Sequence, residues 1–124
     1  MSEIDGMFAF ASYDKNKNQL LLARDRYGQK PLYYLNANGI FAFASELSAL
    51  LELSKWISMK VSVNSLSQYL HLRYIPAPDT AINPIRKLEP CKFEFLDSNG
   101  NLMLDRFFTP ESNGTLCNQD QDIN

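Results

Sequence analysis

The chain has 124 residues, the size of one domain or a piece of one. Apolar residues make up 45% and aromatics 12%, enough for a packed core, so wholesale disorder is excluded. The net charge is −2 and Lys and Arg are scattered, so neither a nucleic-acid-binding face nor a polybasic membrane anchor is expected.

Residues 7–13 (Met-Phe-Ala-Phe-Ala-Ser-Tyr) alternate large residues with Ala or Ser and are predicted to form a strand buried on both faces. The polar run 14–18 is a turn, and residues 19–24 return as a second strand, making 7–24 an antiparallel hairpin. A turn around Gly28 leads to a third strand over 31–35. Pro31 stands at its start, where a missing donor does least harm to a ladder. Asn36 to Gly39 turn the chain into a fourth strand over 40–44.

The period then changes from two to between three and four. Ser45 is placed to cap a helix over 46–53, with Leu47, Leu50 and Leu51 on one face. Residues 54–62 read as irregular. A second helix is predicted from Asn64 or Ser65, with Leu66, Tyr69, Leu70 and Arg73 at helical spacing. The prolines of 75–79 cannot continue it. Residues 92–96 and 101–104 flank a turn at 97–100 as a final ribbon, and the polar tail 111–124 is expected to be disordered.

No apolar run approaches the roughly 20 residues needed to span a bilayer, and the start lacks the features of a signal peptide. Two isolated cysteines, Cys91 and Cys117, give neither a disulfide framework nor a metal site. A reduced, cytoplasmic protein is expected.

The charged turn Arg24-Asp-Arg-Tyr-Gly28 can be a local brace or an anion site, and charged turns are more often braces. Asp25 is expected to accept hydrogen bonds from turn amides, and Gly28 to need a positive φ. Arg24 is expected to reach Glu46, so that Arg24, Asp25 and Glu46 form one partly buried cluster. A catalytic Ser2, exposed by removal of Met1, has little support. Cys91, Cys117 and His71 read as structural or surface residues, and Phe8, Phe10, Phe41 and Phe43 as core.

The whole phrase is more specific than its parts. Arg24-Asp-Arg-Tyr-Gly-Gln-Lys-Pro-Leu-Tyr-Tyr34 followed by Phe43-Ala-Ser-Glu46 resembles the signature of glutamine-hydrolysing asparagine synthetases, within the class II glutamine amidotransferases. Tyr69-Leu-x-x-x-Tyr-Ile-Pro-Ala-Pro-Asp-Thr80 and Ile85-Arg-Lys-Leu-Glu-Pro90 are similar to that family's link between its glutaminase and synthetase domains. Two positions depart from it. Cys91 stands where the family has a turn glycine, so the turn must relax or accept a strained residue, and Gln29 replaces a more usual apolar residue.

The resemblance implies an α+β fold: part of an N-terminal-nucleophile amidotransferase sandwich, then a helical linker and a β-ribbon. Residues 1–53 would be the C-terminal half of a glutaminase domain, 54–110 the linker and ribbon, and 111–124 a tail. Arg24, Asp25, Gly28, Pro31, Ser45 and Glu46 would be the structural signature, and Met7 and Gln29 would approach the wall of an ammonia tunnel. The family's nucleophilic cysteine and its pyrophosphate loop are not in the sequence, so the chain reads as an inactive middle portion. The parent enzyme would make asparagine from aspartate, glutamine and ATP with magnesium, those ligands binding through parts outside this chain, which itself would hold no cofactor or metal. The alternatives are another class II amidotransferase, amidating amino sugars or a surface polymer, or an inactive remnant serving as an interaction module. Strands apolar on both faces but lacking a partner sheet would make the chain self-associate.

Overall fold

The computed structural model describes residues 4–106. Ser2, Cys117, Phe107, Phe108 and the tail 111–124 lie outside the described residues. The architecture is α+β, with antiparallel sheets and two α-helices in the described chain. Neither helix is long and apolar enough to cross a membrane.

The first sheet has the order β1-β2-β8-β9, formed by Ala9–Asp14, Gln19–Arg24, Lys92–Leu96 and Leu102–Arg106. The second has the order β4-β3-β7, from Ile40–Ala44, Tyr33–Ala37 and Arg86–Lys87. A two-residue pair, β5 (Lys60–Val61) with β6 (Ile82–Asn83), ties down the segment between them. The predicted hairpin of residues 7–24 is therefore present as β1 and β2. The 92–104 ribbon is present as well, but in a different role. It is an integral part of the first sheet, with Leu20 opposite Leu96 and Leu22 opposite Glu94. The expected units 1–53 and 54–110 are thus knit together, because β2 and β3 each take a hydrogen-bonded neighbour from the later segment.

Strands 2 to 4 do not sit side by side. The turn at 25–30 carries the chain from one sheet to the other, and the sheets face each other through Leu22, Leu32, Tyr34 and Leu88, with Leu20, Phe41 and Leu102 packed against them. The second sheet is apolar on both faces because it is the middle layer. Tyr34 and Phe41 point to the first sheet and stack with centroids 6.2 Å apart. Leu35 points the other way and packs with Leu50, Ile57 and Ile85, while Tyr33, Ile40 and Ala42 join the same cluster. That second core is covered by α1 (Leu47–Leu51) and the 3-10 turn Glu52–Lys55.

Three expectations change in detail. Residues 7–13 are not a doubly buried strand: β1 is a sheet edge, Ala11 to Asp14 are exposed, and Met7 precedes the strand. Ser45 does not cap the helix. The chain stays extended through Glu46, which occupies the cap position without a side-chain bond. The second helix, α2 (Val63–Leu72), starts earlier than expected and is capped by Ser62, whose Oγ accepts from the Ser65 amide at 3.2 Å.

Candidate functional site

The crossing between the two sheets is where buried polar groups gather. Asp25 is 1% exposed and lies at the first residue after β2. One of its carboxylate oxygens accepts from the amides of Tyr27 and Gln29, at 3.1 and 3.0 Å, and the other from Lys30 at 3.1 Å. Its own amide donates to the Phe8 carbonyl at 2.9 Å, and its carbonyl accepts from Gly28 and Cys91, both at 3.1 Å. Burial pushes this carboxyl up, but the amides of Gln29, Lys30 and Tyr27 more than offset it and hold it below the ordinary carboxylate range.

Arg24 does the complementary work with carbonyls. Its Nε donates to Lys30 at 2.7 Å, Nη1 to Leu88 at 2.5 Å and Nη2 to Gly28 at 2.6 Å. The guanidinium is therefore spent on three backbone oxygens from two segments far apart in sequence. Gly28 completes the turn at φ +62°. A Cβ there would stand 2.8 Å from Pro90 Cγ and 3.0 Å from the guanidinium carbon, so both the backbone and the close approach require glycine.

Of the other signature residues, Glu46 does not join the cluster. It is exposed and accepts a long 3.4 Å bond from Ser48 Oγ, because strands 2 and 4 belong to different sheets. Pro31 and Ser45 instead line a hollow of about 360 Å³ together with Met7, Phe8, Ala9 and Lys30. Gln29, paired with Met7 on the sequence, is exposed and does not line this hollow; only its amide is engaged, by Asp25. Cys91 takes the strained alternative. It sits at φ +63°, is 5% exposed, and its thiol donates to the Arg26 carbonyl at 2.8 Å. Burial pushes this thiol up, so it is a packed hydrogen-bond donor rather than a nucleophile.

One buried acid gave no signal in the sequence. Glu94 is 1% exposed on the inner face of β8, beside the Tyr34 hydroxyl, with its Oε2 left without a hydrogen-bond partner among the described residues. Burial raises this carboxyl above its ordinary value, and the same burial pushes Tyr34 up. Its position was hidden because its neighbours along the strand, Phe93 and Phe95, face the opposite side and pack edge to face at 5.2 Å. Lys87, at a cleft with Arg24, was also missed. Among the described residues no group of three metal-ligating side chains comes together.

Residues 1–108 match the family described as a glutamine amidotransferase domain. The chain is similar to asparagine synthetase (glutamine-hydrolyzing) 1 of Bacillus subtilis strain 168, 33% identical over 107 residues, covering 86% of this chain and 17% of that protein. It is also similar to synthetase 3 of the same organism, 33% identical over 113 residues, 90% of this chain and 18% of the relative. Synthetase 2 is 48% identical over 50 residues, 40% of this chain and 7% of the relative. The chain therefore spans less than a fifth of the length of these curated relatives.

Proposed function

The chain belongs to the glutamine amidotransferase domain family, and from that premise we propose that it is the scaffold portion of a glutamine-hydrolysing asparagine synthetase. The observation that carries this reading is the Arg24–Asp25–Gly28 crossing. Its polar groups are committed to backbone partners within the chain, which suits a brace and leaves little to offer a substrate. The brace holds two sheets in register beside the hollow of Met7, Pro31 and Ser45, which in this reading is a stretch of ammonia-tunnel wall. Glutamine, aspartate, ATP and magnesium are ligands of the remainder of the longer enzyme. No described cluster in this chain fits a metal, and no step of adenylation is assigned to its residues.

The test is a chimera of the Bacillus subtilis synthetase 1 in which this chain replaces the matched stretch. Asparagine formation is then measured with glutamine and, separately, with ammonia. Retention of both activities is expected, whereas the isolated chain hydrolyses no glutamine above a heat-killed control. A folded chimera that uses ammonia but has lost glutamine-dependent synthesis would overturn the scaffold reading, as would glutaminase activity in the isolated chain.

A further inference from the structure

A cleft of about 480 Å³ opens beside the crossing and is bounded by three stretches of chain. One wall is the braced turn itself, with Arg24 and Gly28 at its base and Tyr27 beyond them. The second is the segment 74–77, which follows α2 after the chain reverses at Arg73, φ +63°. The third runs from Lys87, the last residue of β7, to Glu89. All three walls are fixed from within the chain. Asp25 and Arg24 hold the turn, the Asp79 amide closes the second segment onto the Pro76 carbonyl at 3.1 Å, and the Lys87 amide donates to the Pro78 carbonyl at 2.9 Å. The volume is that of a small-molecule pocket, about 300–1,000 Å³. Walls that are already in place lower the cost of ordering a ligand between them.

The charges of the cleft do not balance. Glu89 is held by Lys92 in a close ion pair, and the Arg24 guanidinium is bonded to three carbonyls, with Asp25 beside it. Lys87 is the cation left over. Its Nζ has one long bond, 3.4 Å to the Ile75 carbonyl, and lies 5.9 Å from the centre of the Tyr33 ring. Among the described residues no carboxylate pairs with it. Burial, and after it the Arg24 charge, push Lys87 below the ordinary lysine value. A half-buried cation facing a second cation has lost water without gaining a counter-charge, and an arriving anion relieves both costs. The surroundings are apolar and flat. Tyr27 on the first wall and Tyr74 on the second are 74% and 60% exposed, so their rings are open to a ligand.

We propose that this cleft is a binding site for a small organic anion, which sets its carboxylate or phosphate on Lys87 and its flat apolar body against Tyr27 and Tyr74. Neighbouring residues divide the work. Arg24 builds the wall and adds positive potential, whereas the Lys87 ammonium, with its one long bond, keeps N–H groups free for the anion. An ammonium is a compact point charge that takes carboxylate and phosphate alike, so the protein leaves the head group open. The tyrosine faces favour an aromatic body over a bare ion. The site is independent of the scaffold reading, because every group in it belongs to this chain and the ligand comes free from solution.

The experiment titrates the complete 124-residue chain with benzoate, phenyl phosphate and inorganic phosphate by calorimetry, with benzyl alcohol as the uncharged comparison. Saturable binding of benzoate or phenyl phosphate is expected, and the tighter of the two identifies the head group. Inorganic phosphate and benzyl alcohol should each bind about tenfold more weakly or worse, since each lacks half of the ligand. Lys87→Gln should weaken the organic anion by about tenfold or more, and Tyr74→Ala by a smaller factor. Lys60→Gln, at an exposed lysine of β5, should leave binding unchanged. Thermal melts establish that each variant is folded, and Tyr74→Ala, which removes an exposed ring, tests the site by itself if Lys87→Gln unfolds. Unchanged binding by Lys87→Gln or by Tyr74→Ala would overturn the site, as would the absence of saturable binding by either organic anion. Inorganic phosphate binding as tightly as phenyl phosphate would also overturn it, leaving an adventitious ion only.

Discussion

The Asp25 crossing and the α2 helix lie in one small chain and distribute polarity in opposite ways. At the crossing, a carboxylate and a guanidinium are drawn inside and given backbone partners, three for each side chain. On α2, leucine and valine are left outside while serine is buried. A buried charge costs several kcal/mol unless it is satisfied, so the first region is self-sufficient and rigid. An exposed apolar stripe has no such penalty within the chain, so the second region leaves apolar surface uncovered without unfolding the rest. The difference separates what holds this fold together from what it leaves on its surface.

The comparison breaks most readily at Asp25. Replacing it with Ala leaves three part-buried amides without their acceptor and the buried Arg24 without its neighbouring charge, a loss of about 3–5 kcal/mol and enough to unfold a small domain. Thermal melts followed by circular dichroism should show little or no cooperative transition, and a melting temperature within a few degrees of wild type would refute the brace. The same group sets an acid limit. Its carboxyl is depressed in the folded state, so its contribution is present above the unfolded value near 3.9 and is lost as pH falls further through the folded value.

Gly28→Ala should come next, at about 2 kcal/mol or more, since a left-handed residue with a Cβ costs roughly 1–2 kcal/mol before the crowding by Pro90 is added. Equilibrium urea unfolding measures it, and an unchanged midpoint would mean that the turn can shift. Glu94→Gln should act in the opposite direction. Its carboxyl is raised in the folded state, so wild-type stability is greatest below the unfolded value near 4.3 and declines as pH rises through the folded one. The Gln variant should therefore melt higher than wild type at pH 7–8 and lose that advantage near pH 4. Equal melting curves at both ends would show that folding does not raise the Glu94 carboxyl.

The smallest effect belongs to α2. Leu70→Ser removes an 80% exposed side chain, so the isolated chain should change by no more than about 0.5 kcal/mol. A loss above about 1.5 kcal/mol would mean that the stripe packs within the chain, and the contrast between the two regions would collapse.

Some of this was legible from residues alone. The hairpin of β1 and β2, the fourth strand, the second helix and the terminal ribbon follow from local periodicity and from turns rich in Asn, Gly and Pro, which act over a few residues. The Asp25–Gly28 turn was readable for the same reason: an Asp accepting from amides two to five residues on is a local event. Residues whose roles depend on distant neighbours were not readable. Glu46 could reach Arg24 only if strands 2 to 4 were adjacent, and the chain instead changes sheets after residue 24. Glu94 looks like any polar residue in an alternating ribbon until β8 pairs with β2 and turns it toward Tyr34.

The sequence by itself determined the family signature, the order and kind of most elements, and the need for glycine at position 28. Tertiary structure alone decided that the late ribbon completes the first sheet, that Arg24 bonds to Leu88 across 64 positions, and that α2 faces its leucines outward. The division has a physical cause. Propensity, turn chemistry and short-range hydrogen bonds are set by residues a few places apart, whereas sheet pairing and burial depend on which distant segments arrive at the same place, and the pattern along one strand is compatible with several such partners.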